Sequence, residues 1–227
     1  SNQIFEPIER GNFQFPYLCE QDVLEGINWA AEGVVYQIFP DRFYNGDPSN
    51  DPQDVEVWGN KPTRENMFGG DLQGIIQKLD YLEDLGVDIV YMTPIFESSS
   101  NHKYNTKDYY KIDKQFGDTN KIKELTEKIH ARGMKIILDA VFNHSGDDFF
   151  AFQDVMRKGK KSRYKDWFYI DEYPVVQKPV NYRVFGDNNA YMPKLRTSNP
   201  EVREYLLEVA KYWIEEIGID GWRLDVC

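Results

Sequence analysis

The chain has 227 residues, 41% hydrophobic and 29% charged, with a net charge of −11. That is enough apolar material for a sizeable core, yet no apolar run reaches the ~18 residues of a membrane span, and the acidic balance argues against nucleic acid and anionic membranes as partners. Two distant cysteines, Cys19 and Cys227, make neither a disulfide framework nor a zinc motif, and no leader pattern opens the chain, so the expected setting is reducing and cytoplasmic.

Ser1-Asn2 reads as a cloning remnant and residues 1–28 as a lead-in. The first β-rich run is 34–40, VVYQIFP, closed by proline. Leu72, Ile75, Ile76, Leu79, Leu82 and Leu85 then follow the spacing of one helix face, with Gly86 as the stop. The second strand is 87–94, VDIVYMTP. Ile122, Leu125 and Ile129 mark the next helix, with Asp118 or Thr119 as N-cap and Gly133 beyond its end. The third strand is 134–142, MKIILDAVF.

A connection of unusual length follows, residues 143–197, dense in aromatics from Phe149 to Tyr191. Loops beyond about 12–15 residues are usually functional. Most of these rings are expected to form the insert's own small core, with one or two free to stack on sugar. Val202, Leu206, Val209, Trp213 and Ile217 mark the last helix, capped by Asn199 with Pro200 in first position. The fourth strand is 218–226, in which Trp222 and Leu224 are expected to be buried and Arg223 and Asp225 to share a face.

The strands are near-continuous apolar runs, as expected when both faces are covered. Their alternation with helices predicts an α/β fold with parallel strands and right-handed crossovers. No G-x-G-x-x-G follows the first strand, which favours a TIM-type (β/α)8 barrel over a dinucleotide-binding sheet. Only four βα-type strands are present. The expected plan is the lead-in to 28, three βα units over 29–142, an inserted subdomain over 143–197, and a helix and strand over 198–227.

In such barrels the site lies at the C-terminal strand ends, where the unusual polar residues fall: Asp139, Asn143 and His144, then Arg223 and Asp225, with His102, Tyr104 and Asp108 after the second strand. A guanidinium two residues from a carboxylate keeps it ionised, and an ionised carboxylate can attack an anomeric carbon. A buried structural ion pair is the plain alternative, and Asp139 reads as support. In NGDPSND, the residues Asn45, Asp47, Asn50 and Asp51 form an oxygen-rich loop. It reads as a polar turn or a calcium loop.

The segments DAVFNH and GWRLDV resemble signature regions of the α-amylase family of retaining glycoside hydrolases. The run from VVYQIFPDRFYNGDPSND through MFGGDLQGII to MPKL resembles the cyclomaltodextrinase, neopullulanase and maltogenic amylase group. The resemblance begins near Trp29 and continues to the last residue. It implies action on α-1,4-glucosidic bonds of cyclodextrins, pullulan or malto-oligosaccharides, with an α-glucan oligosaccharide as ligand and a homo-oligomer as the assembly. Asp225 would be the nucleophile and Arg223 its charge partner. His144, Tyr104 and His102 would bind the sugar, and Asp139 and Asn143 would order the strand end. One structural Ca2+ is implied at Asn45, Asp47, Asn50, Asp51, Gly69 and Asp71.

Arg196 stands where this group has asparagine, which bears on substrate preference. The group's N-terminal β-sandwich is too large for residues 1–28. Its general acid is a glutamate at the end of a fifth strand, so the 227 residues alone are expected to be inactive and to self-associate through the edges of a half-barrel. Two rivals remain: a non-catalytic α-glucan-binding barrel, and a phosphosugar hydrolase, which would want a late glycine-rich loop.

Overall fold

The structure, a computed structural model, describes residues 26–186 and 189–226. Residues 1–32 and 33–227 are two compact units. The described part of the first is helix α1 (Asn28–Glu32) and the two residues before it. Most of the 1–28 lead-in and both cysteines lie outside the described residues.

The second unit contains strands β1 (Val35–Ile38), β2 (Ile89–Met92), β3 (Phe96–Ser98), β4 (Thr106–Ile112), β5 (Lys135–Ala140) and β6 (Gly221–Leu224). Four of them form one parallel sheet in the order β1-β2-β5-β6. The other two, β3 and β4, make an antiparallel hairpin within the connection from β2 to β5. The helices are α2 (Leu72–Gln77), α3 (Leu79–Asp84), α4 (Thr119–His130), α5 (Phe150–Lys158) and α6 (Pro200–Tyr212), the last continuing as a π turn over Trp213–Ile217. Successive parallel strands joined through helices are the (β/α) arrangement expected of a barrel.

The expected caps form. Asp118 accepts a hydrogen bond from Lys121 N, and Asn199 from Glu201 N, each satisfying a first-turn donor that would otherwise be orphaned. Gly86 and Gly133 take positive φ values of 78° and 75° past their helices, a conformation glycine adopts freely. The helix expected over Leu72–Leu85 is broken at Lys78, whose φ of −107° and ψ of 9° separate α2 from α3. Apolar spacing runs through the break because both pieces present leucine and isoleucine to the same core.

That core lies on one side of the sheet. Val90, Met92, Ile136 and Leu138 point into it and meet Leu72, Ile75, Leu79, Ile122, Leu125 and Ile129 from the helices. The opposite face carries Val35, Tyr91, Ile137 and Arg223, which stay half-buried or exposed. Cover on both faces, expected from the apolar runs, is only partial among the described residues, with Ile89 and Asp139 the buried positions on this face. Leu224, expected to be buried, is 55% exposed because no described element packs over the end of β6.

The long connection folds on itself through α5 and short antiparallel bridges, Phe168 with Leu195 and Val184 with Pro193 among them. Phe149, Phe152, Trp167, Phe168 and Tyr182, five of its eleven aromatics, are buried there, and they join the apolar cluster of the sheet and helices rather than a separate core. Leu195 N returns to Asn143 O and Ser145 N to Pro193 O, closing the insert where it leaves β5.

Candidate active site

Strand register builds the site. Arg223 pairs directly with Asp139, and Tyr91 pairs with Ile137, two residues before Asp139. Because side chains two apart share a face, Tyr91, Asp139, Arg223 and Asp225 all emerge on one side of the sheet at its C-terminal end. The Asp225 N–H donates to Ala140 O at 3.1 Å, tying that end to β5.

Asp139 is the hub. Its Oδ2 accepts from the Tyr91 hydroxyl at 2.6 Å and the Tyr104 hydroxyl at 2.9 Å. Arg223 Nη1 lies 3.2 Å from Asp139 Oδ1 and 2.7 Å from Asp225 Oδ1. One guanidinium nitrogen thus serves two carboxylates. Burial pushes Asp139 above the usual carboxylate range, and the donors from Tyr91, Tyr104 and Arg223 offset only part of that. The Asp225 bond, the largest cause, raises Arg223 further above its already high value, so the cation is permanent. Burial and the neighbouring Asp139 likewise hold the two phenols protonated, as donors. Tyr91 was not singled out from sequence. Its place in VDIVYMTP looks like core until the register to β5 is known.

His144 is fully buried. Its Nε2 lies 3.1 Å from Tyr104 O, an acceptor only, so Nε2 carries the proton and Nδ1 accepts from the Asn143 amide at 3.2 Å. Burial lowers its pKa to about 4, leaving the ring neutral near pH 7. Phe185 stacks on it at 4.7 Å with planes 13° apart. Both ring nitrogens are therefore engaged by protein, and a sugar hydroxyl would have to share Nε2 with Tyr104 O. Asn143 meets His144 through its amide and takes the bond from Leu195 N through its carbonyl.

His102 Nδ1 accepts from Tyr104 N at 3.1 Å and faces Ser100 Oγ at 3.2 Å. Its proton therefore sits on Nε2. The ring lines a cavity of about 850 Å³ together with Asn105, Arg42 and Tyr191. The rings of His102 and Tyr104 lie 5.8 Å apart. Asp108 is not part of this group. It pairs with Lys111 on the exposed side of β4. Arg196 lies over the Tyr169 ring at 4.8 Å, as Arg183 does at 4.9 Å, so it packs within the insert.

In the loop after β1, the Asn45 amide donates to Asp51 Oδ1 at 2.7 Å, and Gly69 packs so closely that a Cβ would collide with both groups. The side-chain oxygens of Asn45 and Asn50 are buried without a partner, an unusual state that calls for explanation. Asp47 caps the turn through Ser49. Asp71 accepts from Gly46 N, Asp47 N, Gly74 N and the Asn50 amide, so its oxygens are already taken. Among the described residues no group of three or more His, Cys, Asp or Glu gathers. A cation here would depend on amide and backbone oxygens.

Parallel βα units with an arginine and carboxylates at the C-terminal strand ends are the arrangement of a TIM-type barrel. The chain belongs to the α-amylase family, matching its catalytic domain over residues 37–227. It is 60% identical over 217 residues to a cyclomaltodextrinase of Thermoanaerobacter pseudethanolicus, covering 95% of this chain and 38% of that protein. It is 53% identical to an intracellular maltogenic amylase of Bacillus subtilis, covering 94% and 36%. Among solved structures it is similar to the cyclic α-maltosyl-(1→6)-maltose hydrolase of Arthrobacter globiformis in complex with that sugar, with a TM-score of 0.84, 50% identity, and cover of 88% of this chain and 45% of that one. The chain therefore spans under two-fifths of the length of these two curated relatives.

Proposed function

We propose that the complete protein is a retaining glycoside hydrolase cleaving α-1,4-glucosidic bonds of cyclodextrins, pullulan or malto-oligosaccharides. The observation that carries this reading is the single Arg223 nitrogen shared by Asp225 and Asp139. It sets a cation against Asp225 and aims that carboxylate from the strand end, as a nucleophile requires. The carboxylate attacks the anomeric carbon, a glycosyl ester forms, and the bond to the leaving sugar oxygen breaks. A second carboxylic acid protonates that oxygen, and water later hydrolyses the ester. Asp139 is not that acid, since its oxygens are held by Tyr91, Tyr104 and Arg223. On this reading another part of the complete protein supplies the proton, and the 227 residues alone do not turn over. On this reading His102 and Tyr104 form the sugar platform, and His144, buried under Phe185, meets a sugar hydroxyl by sharing Nε2 with Tyr104 O. The names of the similar proteins, a cyclomaltodextrinase, a maltogenic amylase and a cyclic α-maltosyl-(1→6)-maltose hydrolase, support the substrate class.

Asp225→Asn in the complete protein should lower kcat on cyclodextrin by roughly 10⁴-fold or more, because an amide forms no glycosyl ester. Sugar binding should persist. More than trace turnover in a clean preparation would remove Asp225 from the role, and retained binding with no turnover by the parent would favour a non-catalytic α-glucan-binding barrel.

A structural calcium belongs to the same proposal. The orphaned oxygens of Asn45 and Asn50 and the Gly69 carbonyl fit a hard cation, which Asp47 and Asp51 would join with the oxygens not held by Ser49 and Asn45. Asp71 would have to give up donors to take part. The ion would supply charge that orders the loop after β1. Calcium should raise the melting temperature relative to chelator, and Asp47→Ala should abolish that shift. Identical melting curves would end the idea. Homo-oligomerisation and a cytoplasmic setting complete the reading. The name of the intracellular relative supports the second.

A further inference from the structure

The hairpin loop over 99–105 bears both His102 and Tyr104, and the residue between them is the unusual one. Lys103 has φ of +61°, a left-handed conformation disfavoured for a side chain with a Cβ. It is also 1% exposed. Its Nζ donates to Asp113 Oδ2 at 2.8 Å and to Ser98 O at 3.2 Å, and lies 5.4 Å from the centre of the Phe116 ring. Asp113 is itself tied down, accepting from Ser98 N and Gln115 N. A lysine is almost never buried unless paired, and burial lowers this one from the ordinary lysine range despite Asp113. An ordinary loop would not retain both a strained backbone and a buried cation.

The turn at Lys103 has a visible consequence on the other side of the chain. It brings Tyr104 N to within 3.1 Å of His102 Nδ1. It also sends the Tyr104 hydroxyl to Asp139. Strain at a functional position persists when its surroundings over-determine it, and here the surroundings are the Lys103–Asp113 pair.

We infer that Lys103 is a positioning residue, whose buried ion pair with Asp113 forces the left-handed turn that presents His102 and Tyr104 to the sugar. The inference rests on the hydrolase reading for its kinetic consequence, though not for its structural one.

Lys103→Met in the complete protein should raise KM for malto-oligosaccharides by about ten-fold or more, with a smaller fall in kcat, as expected when uniform sugar contacts are lost. Combined with Tyr104→Phe, the two losses should be strongly non-additive, since one acts through the other. Hydrogen exchange gives a second readout: protection over 99–105 should be lost while that of β4 persists. Unchanged KM, additive losses or intact protection would each overturn the proposal. A parent protein that cleaves no α-glucan would sink the functional reading, while exchange would still decide the role of Lys103. If Lys103→Met does not fold, Lys103→Gly with Asp113→Asn tolerates the backbone and strands no charge. The same loss of protection is expected there, and full protection would show that the anchor is not needed.

Discussion

The two ends of the β5–β6 strand pair each hold a carboxylate that ties the strands together, and they do so with opposite electrostatics. At the N-terminal end, Asp220 accepts from Ile136 N at 2.9 Å, Lys135 Nζ at 2.9 Å and His130 Nε2 at 2.7 Å. Burial pushes this carboxyl up, yet the three donors together outweigh it and hold Asp220 below the usual range. At the C-terminal end, burial wins and Asp139 lies above that range. Its partners are two neutral phenols and an arginine already shared with Asp225. One end is neutralised as a structural anchor would be. The other has two carboxylates for one cation. A barrel can stabilise itself at one end and keep under-neutralised charge for chemistry at the other.

Removing the shared cation tests this most severely. Arg223→Met should lower kcat by on the order of 10³-fold, the scale of losing one electrostatic contact at the reacting centre, by leaving Asp225 and Asp139 facing each other unscreened. Because Arg223 is 46% exposed, the fold should survive, which circular dichroism can confirm. A variant with near-normal turnover would make this end another structural anchor and erase the contrast.

Asp220 provides the control. Asp220→Asn should cost about 1–2 kcal/mol of stability, as expected for disrupting a partly buried charged network, with kcat unchanged. Its folded pKa is depressed, so its contribution is present above the unfolded value near 4 and lost as pH falls through the folded one. The gap between parent and variant in denaturant midpoints should therefore close below about pH 4. Asp139 has the opposite sign: its raised pKa makes the ionised form a burden at neutral pH, relieved as pH falls. Asp139→Asn should thus damage activity while costing less stability than Asp220→Asn. The reverse ranking would refute the comparison.

Much of this was legible in the chain because the features are local. Asp118 and Asn199 announce helix starts by their identity and position, and strands two and three announce themselves by apolar runs. Arg223 and Asp225 share a face by simple alternation. What stayed hidden depends on pairing. The β3–β4 hairpin is short and polar, with register shifts at Glu97, so it shows no clean period. The break at Lys78 leaves the apolar spacing intact. The orphaned oxygens of Asn45 and Asn50 exist only once the loop after β1 folds against Gly69. The expectation for Leu224 failed for a related reason: alternation gives a face but does not say what covers it.

Tyr91 is the clearest case of hidden function, and it supports the finest prediction. In the sequence it is one large residue in an apolar strand, with no mark separating it from Val90 or Met92. Only its pairing with Ile137 places it on the face of Asp139 and Arg223. There it gives Asp139 its shortest hydrogen bond, 2.6 Å. Tyr91→Phe keeps the ring and removes that donor, leaving Asp139 to Tyr104 and Arg223. The carboxylate should then draw more strongly on Arg223, weakening the hold of that arginine on Asp225. The expected result is a fall in kcat of roughly ten-fold, the usual scale for an outer hydrogen bond that orients a reacting group, with little change in KM because the Tyr91 hydroxyl is committed to Asp139. Stability should fall by about 1 kcal/mol. A loss confined to KM would place Tyr91 among the sugar contacts, and no loss at all would mean that Tyr104 alone suffices to hold Asp139.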